Sequence, residues 1–257
     1  MGDTWQPPLL WRILLAVATF VVPLFCRFRV VDDTPESLRG AAVIFASNHI
    51  GTFDPIAVTA ACRRRGIAPR ILATGGLFRT PVVGAVLRRC GHIQVNRAEA
   101  SAVQALNNAV SAVRGGASVL GYPEGRIGLD PGMWPERART GMARLALRTG
   151  AAVVPVSQWG SHEVIPYDGP GAMVARLISS LWRRPVVTVR FGAPVDLSGL
   201  VSDVPGDAQR ASTRIMGAIT DGLRPLRAAE PRLPRYVDPT RPVSTARTFR
   251  SAATQAR

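Results

Sequence analysis

Apolar residues along the chain follow two rhythms. Short unbroken runs at 41–47 (AAVIFAS), 70–74 (RILAT), 92–95 (HIQV), 117–122 (ASVLGY), 151–157 (AAVVPVS) and 186–191 (VVTVRF) read as strands buried on both faces. Between them apolar residues recur at helical spacing, at about 55–65, 79–90, 98–114, 139–149 and 168–183, with a last helical stretch at about 206–228. Alternation of this kind predicts an α/β fold with a largely parallel sheet flanked by helices.

The most apolar stretch is 8–26 (PLLWRILLAVATFVVPLFC). Its uninterrupted part, Ile13 to Cys26, is 14 residues long, short of the ~20 that span a bilayer. Asp3 spoils a positive leader, and Arg27 and Arg29 stand where a small-residue cleavage site would be, so a signal peptide is a poor reading. A membrane-associating helix at 1–29 is expected, lying in the interface or forming a short anchor with its arginines on the cytoplasmic face of the cell membrane. A buried core helix is the alternative. The domain proper is expected at 30–229. A basic tail follows at 230–257, with six Arg, four Pro and few apolar groups, and disorder is expected there.

Composition narrows the chemistry. Apolar residues make up 47% of the 257, the globular norm, which excludes a disordered chain. The three cysteines, Cys26, Cys62 and Cys90, form no CxxC pair, so a zinc ribbon or redox dithiol is not indicated. The 32 basic residues against 17 acidic ones give a net charge of +15, and all 32 are arginine. Without lysine there is no Walker P-loop, Schiff base or lysine base. Part of the bias is what a GC-rich coding sequence produces; the rest implies an anionic partner, nucleic acid or a phospholipid surface with a phosphorylated substrate.

Candidate chemistry begins where the first expected strand runs into NHIGTFDP (48–55). Functional groups gather at the carboxyl ends of strands in open α/β sheets, and His49 stands at such an end. A carboxylate five residues on, Asp54, can reach one imidazole nitrogen and leave the other as a proton acceptor. Each residue also has a plain reading: His49 as a satisfied loop histidine, and Asp54 as a helix start ahead of Pro55.

Later segments bear on that choice. GHIQVNR (91–97), YPEGR (122–126) and VVPVSQW (153–159) follow in order. The set resembles the lysophosphatidic acid acyltransferase family of glycerolipid acyltransferases over about residues 38–225. The family's NHxxxxD block is matched by Asn48, His49 and Asp54. Its second block is matched by Gly91, Ile93 and Arg97, its FPEGTRS block by Tyr122, Pro123, Glu124 and Gly125, and its valine–proline block by Val154 and Pro155. RTGMARLA (139–146) and VRFGAPVDL (189–197) also look like family segments. Where the family has Thr-Arg-Ser, this chain has Arg126, Ile127 and Gly128. The hydroxyls are gone, and Arg137 and Arg139 are candidates for the missing donors.

The resemblance implies a single acyltransferase domain that moves a fatty acyl group from an acyl thioester to a lysophospholipid hydroxyl, with 1-acyl-glycerol-3-phosphate as the leading acceptor. It implies His49 as general base and Asp54 as its partner, with Asn48, Arg97, Glu124, Gly125, Arg126 and Arg139 binding substrate. Backbone donors near Gly125 would hold the oxyanion. No cofactor or metal is expected; acyl-CoA or acyl carrier protein is the co-substrate and a membrane surface the partner. Another lysolipid or glycolipid acceptor is the alternative. A basic adaptor is disfavoured by 6% aromatic content and no nucleic-acid motif, and a metallohydrolase by His92 and His162 being the only other histidines. Finally, 171–184 carries Met173, Leu177 and Leu181 with Val174, Ile178 and Trp182 on one face, flanked by Arg176, Arg183 and Arg184. Such a helix lies on anionic lipid or covers a sheet.

Overall fold

A computed structural model describes residues 5–96, 99–167, 169–236 and 248–249. In chain order the elements are α1 (Leu9–Phe25), β1 (Arg27–Asp32), β2 (Ile44–Ser47), α2 (Asp54–Arg64), β3 (Arg70–Thr74), α3 (Gly75–Arg79), α4 (Pro81–Arg89), β4 (Ile93–Val95), α5 (Glu99–Arg114), β5 (Val119–Gly121), α6 (Gly141–Thr149), β6 (Val153–Trp159), α7 (Pro170–Arg183), β7 (Val186–Phe191) and α8 (Asp207–Leu226). Short 3-10 turns stand at Glu36–Leu38 and Ser161–Glu163.

Seven strands form one sheet in the order β1-β7-β6-β2-β5-β3-β4, and β6–β7 is its antiparallel pair. The α/β fold with a largely parallel sheet is therefore observed, and all six expected strands are present. β1 was not expected: its alternating Arg27 and Arg29 read as flanking charges, yet they face solvent from an edge strand held only by distant β7. The stretch at 79–90 forms α4, and a short α3 before it was not expected; the two are parted at Thr80, because a proline disfavours helical backbone in the residue before it.

Alternation along the strands feeds two cores. Ile44 and Ala46 of β2 pack with α5, α6 and α8 on one face, and Phe45 packs with α1 and α2 on the other. The three cysteines are buried as free thiols, and burial pushes those of Cys26 and Cys62 up to about 12.

α1 serves two environments. Trp11, Leu15 and Val22 are buried against the domain, and Trp11 Nε1 donates to the Pro69 carbonyl at 3.1 Å. On the other side Leu9, Ile13, Val17, Phe20 and Leu24 form an exposed stripe, with Phe20 78% exposed. Among the described residues no helix is long and apolar enough to cross a membrane. α7, which touches α1, packs Leu177 against the core and adds Val174, Ile178, Leu181 and Trp182 to the exposed apolar surface. Of the expected tail, 230–236 and 248–249 are described: Arg176 lies over the Tyr236 ring, and the Phe249 amide donates to the Pro135 carbonyl. The remainder lies outside the described residues.

The topology has one consequence for the site. β2 lies between β5 and β6, parallel to both, so Ser47, Gly121 and Trp159 end side by side and deliver three loops to one edge. Gly160 makes the turn after β6 with φ of 95°, and a Cβ there would lie 2.0 Å from the Val186 carbonyl oxygen. Gly160→Ala is expected to cost about 2 kcal/mol or more and to lower Tm by roughly 4–8 °C. Thermal unfolding checks this, and an unchanged Tm would show that the turn relaxes freely.

Candidate active site

At the junction of the three loops, His49 follows the end of β2 and Asp54 opens α2. His49 Nδ1 lies 2.8 Å from Asp54 Oδ2. The same oxygen accepts the backbone N–H groups of Ile50 at 2.6 Å and Gly51 at 2.9 Å, and Asp54 Oδ1 accepts from Ser161 Oγ. Asp54 is fully buried. It is therefore no ordinary helix start: Phe53 occupies the cap position without a side-chain bond, and the carboxylate folds back over the loop. The helix N-terminus adds partial positive charge beside it.

The ring of His49 is fixed on a second side by Tyr122, stacked at 4.1 Å with planes 22° apart. Its main chain is pinned as well. The His49 N–H donates to Glu124 Oε1 at 2.9 Å and its carbonyl accepts from Gly128 N at 2.7 Å. Its side chain keeps 16% of its surface exposed, and among the described residues nothing hydrogen-bonds Nε2. An imidazole held through Nδ1 with Nε2 open is arranged to take a proton from a ligand at the sheet edge. Tyr122 Oη is buried without a partner, and burial raises its pKa well above the ordinary phenol value.

Several residues expected on substrate are instead committed to the protein. Asn48 is fully buried; its Nδ2 donates to the Gln158 carbonyl at 3.0 Å and its Oδ1 accepts the Gln158 N–H at 2.9 Å. It bolts the end of β2 to β6. Glu124 is buried, accepting from His49 N and, at 2.9 Å, from Glu136 N. Its carboxyl is pushed up to about 8, first by burial and then against the pull of these two donors. Arg126 pairs with Glu136 at 2.8 Å, and Glu136 also accepts the Leu129 N–H. Gly125, at φ of 71°, spends its N–H on the Tyr122 carbonyl at 2.9 Å, so it is not itself an oxyanion donor.

Arg139 is not committed in this way. Its side chain crosses Gly125, where a Cβ would meet its Cδ at 3.0 Å. It is exposed, and among the described residues it has no carboxylate partner. Arg97 lies outside the described residues, two positions beyond the end of β4. Ser161, Gln158 and Glu136 were not singled out from the sequence. Their signal was positional: Gln158 and Ser161 flank the Trp159–Gly160 turn, at the carboxyl end of a buried strand.

The acyltransferase family profile matches residues 29–159, half of the chain. A chloroplastic 1-acyl-sn-glycerol-3-phosphate acyltransferase of Brassica napus is 25% identical over 167 residues, 65% of this chain and 44% of that protein. An uncharacterized protein of Mycobacterium tuberculosis is 31% identical over 161 residues, 58% of this chain and 42% of its own. The chain thus spans less than half the length of these curated relatives. The crystal structure of PlsC, the 1-acyl-sn-glycerophosphate acyltransferase of Thermotoga maritima, superposes with a TM-score of 0.60 at 20% identity, covering 85% of this chain and 80% of the other. That likeness shows the fold.

The raised carboxyl of Glu124 has a measurable signature. A carboxyl whose folded pKa lies above its unfolded one stabilises the fold below the unfolded value, about 4.5, and loses that contribution as pH rises to about 8. Urea midpoints at pH 5 and pH 8 are expected to fall less in Glu124→Gln than in the parent; equal slopes would refute the shift.

Proposed function

The chain belongs to the acyltransferase family, and on that premise we propose that it transfers a fatty acyl group from an acyl thioester to the free hydroxyl of a lysophospholipid, giving phosphatidate from 1-acyl-glycerol-3-phosphate. The observation that carries this is the His49–Asp54 pair at the sheet edge, with Nε2 open to a ligand. In this reading His49 Nε2 takes the hydroxyl proton as the oxygen attacks the thioester carbonyl. Asp54, unable to leave its donors, holds the imidazolium that forms. Collapse of the tetrahedral intermediate breaks the C–S bond, and the imidazolium returns the proton to the departing thiolate. A thioester is already activated, so the protein needs no nucleophile of its own.

In this reading exposed Arg139, beside Gly125, holds the acceptor phosphate, and Arg97 is proposed as a second guanidinium for it. Arg126 acts through Glu136, whose loop it braces. Acyl-CoA or acyl carrier protein supplies the thioester, with no further cofactor. The reading also seats the domain on the cytoplasmic face of the cell membrane, a reducing side that suits three free thiols. What supports this seat is the exposed stripe of α1 beside that of α7, with Arg183 and Arg184 at its border.

Purified enzyme incubated with labelled lysolipids and either acyl-CoA or acyl carrier protein thioester tests the assignment. Conversion of 1-acyl-glycerol-3-phosphate ahead of other lysolipids is expected, with the product identified by mass. His49→Ala is expected to lower kcat/KM by about 10²–10⁴ with the fold intact, and Asp54→Asn to be severely slowed. Parent activity in His49→Ala would end the mechanism.

Membrane seating is better tested by substitution than by deletion, because α1 also supplies core residues. Replacing Phe20 and Trp182, 78% and 76% exposed, with serine is expected to weaken partition into anionic liposomes at least about tenfold. Tm should hold. Flotation reads the outcome, and unchanged binding would exclude this face.

A further inference from the structure

Behind Asp54 lie two polar side chains that the mechanism does not yet use. Ser161, first residue of the 3-10 turn after β6, is fully buried. Its Oγ meets Asp54 Oδ1 and, at 2.7 Å, the side-chain Oε1 of Gln158. Gln158 is fully buried too, and its main chain is clamped by Asn48. In this orientation its Nε2 has no partner.

The arrangement violates hydrogen-bond arithmetic. A serine hydroxyl carries one proton and cannot serve a carboxylate and an amide oxygen together. Meanwhile a buried NH2 stands without an acceptor, which is costly. Turning the Gln158 amide over resolves the conflict at Ser161 and pairs the NH2: Nε2 donates to Ser161 Oγ, whose own proton then goes to Asp54 Oδ1, and the amide oxygen takes the position without a partner. Every donor is aimed in one direction, toward the carboxylate.

We propose that Ser161 is a positioning residue for acyl transfer and that Gln158 orients it, in a buried relay running from Gln158 Nε2 through Ser161 Oγ to Asp54 Oδ1, and from Asp54 Oδ2 to His49 Nδ1. The inference rests on the acyl-transfer reading and adds a function to the turn after β6. Asp54 Oδ2 already takes two backbone N–H groups and His49. Ser161 supplies the donor on the other oxygen, so it fixes the rotation of the carboxylate and spreads its charge. Gln158 occupies the hydroxyl's acceptor side and prevents it from turning away.

The relay has a consequence that packing alone would not produce. Without the Ser161 donor, negative charge concentrates on the oxygen facing the imidazole, and the protonated ring is held more tightly. The neutral base is then available only at higher pH. The other titratable groups around the ring, Tyr122 on its face and Glu124 at its main chain, are untouched by changes at 161 and 158.

Steady-state kinetics of the full chain across pH test this. Ser161→Ala is expected to lower kcat about ten- to hundredfold, the loss typical of one hydrogen bond to a charged group, with KM for both substrates nearly unchanged. The acid limb of its kcat/KM profile should move upward by roughly half a unit or more. Ser161→Thr, which keeps the hydroxyl, should recover most of the rate, and Gln158→Met should show a smaller loss in the same direction; Tm of each variant confirms folding. Ser161→Ala with the parent kcat and profile, beside an inactive His49→Ala, would overturn the relay and leave the acyl-transfer reading standing. A slower Ser161→Ala with an unmoved acid limb and no recovery in Ser161→Thr would reduce Ser161 to packing and overturn the relay as well. Full activity in His49→Ala would overturn both.

Discussion

A buried carboxylate needs donors, and in this protein the need of Asp54 organises the whole sheet edge. Ionised carboxylates are removed from water at large cost unless nearly every lone pair is satisfied. Asp54 collects the Ile50 and Gly51 amides, the His49 ring and the Ser161 hydroxyl. Those donors come from the loop after β2 and the turn after β6, so the charge is stable only when both loops are in place. Close approach of the two segments follows from it: a Cβ on Gly51 would meet the Ile165 carbonyl oxygen at 3.3 Å. The geometry that stabilises the charge is also the geometry that leaves one imidazole nitrogen open.

Around this centre the remaining polar groups act as staples between loops. Asn48 ties β2 to β6, Glu124 ties the His49 loop to the segment at 136, and Arg126 with Glu136 closes the loop between them. Such residues hold backbone amides that lie beyond the strand ends, where no ladder partner exists. Rigidity at the site therefore comes largely from side chains bonded to main chain, while Arg139 stays exposed. The apolar surface divides in a similar way. α1 gives one stripe to the core and presents the opposite stripe, beside α7, to whatever lies outside.

By itself the sequence determined the alternation of strands and helices, the parallel character of the sheet and the placing of His49 at a strand end. These follow from local periodicity, which a chain expresses before any long-range contact forms. Five-residue spacing across a single loop made the pairing of His49 with Asp54 possible but left it open, and only the ordered set of later segments pointed to it. β1 was not legible, since an edge strand with alternating arginines carries no buried run and is defined only by β7, far along the chain. Tertiary structure alone decided which polar residues are bonded to the backbone. Asn48 and Glu124 have the same chemistry in either role, and only the neighbouring strand or loop, 110 and 75 residues away in sequence, supplies the amides that claim them. Ser161 shows the converse: nothing local distinguishes it from any serine after a glycine, and it acquires its place because β6 lies beside β2 and brings its hydroxyl to a buried charge.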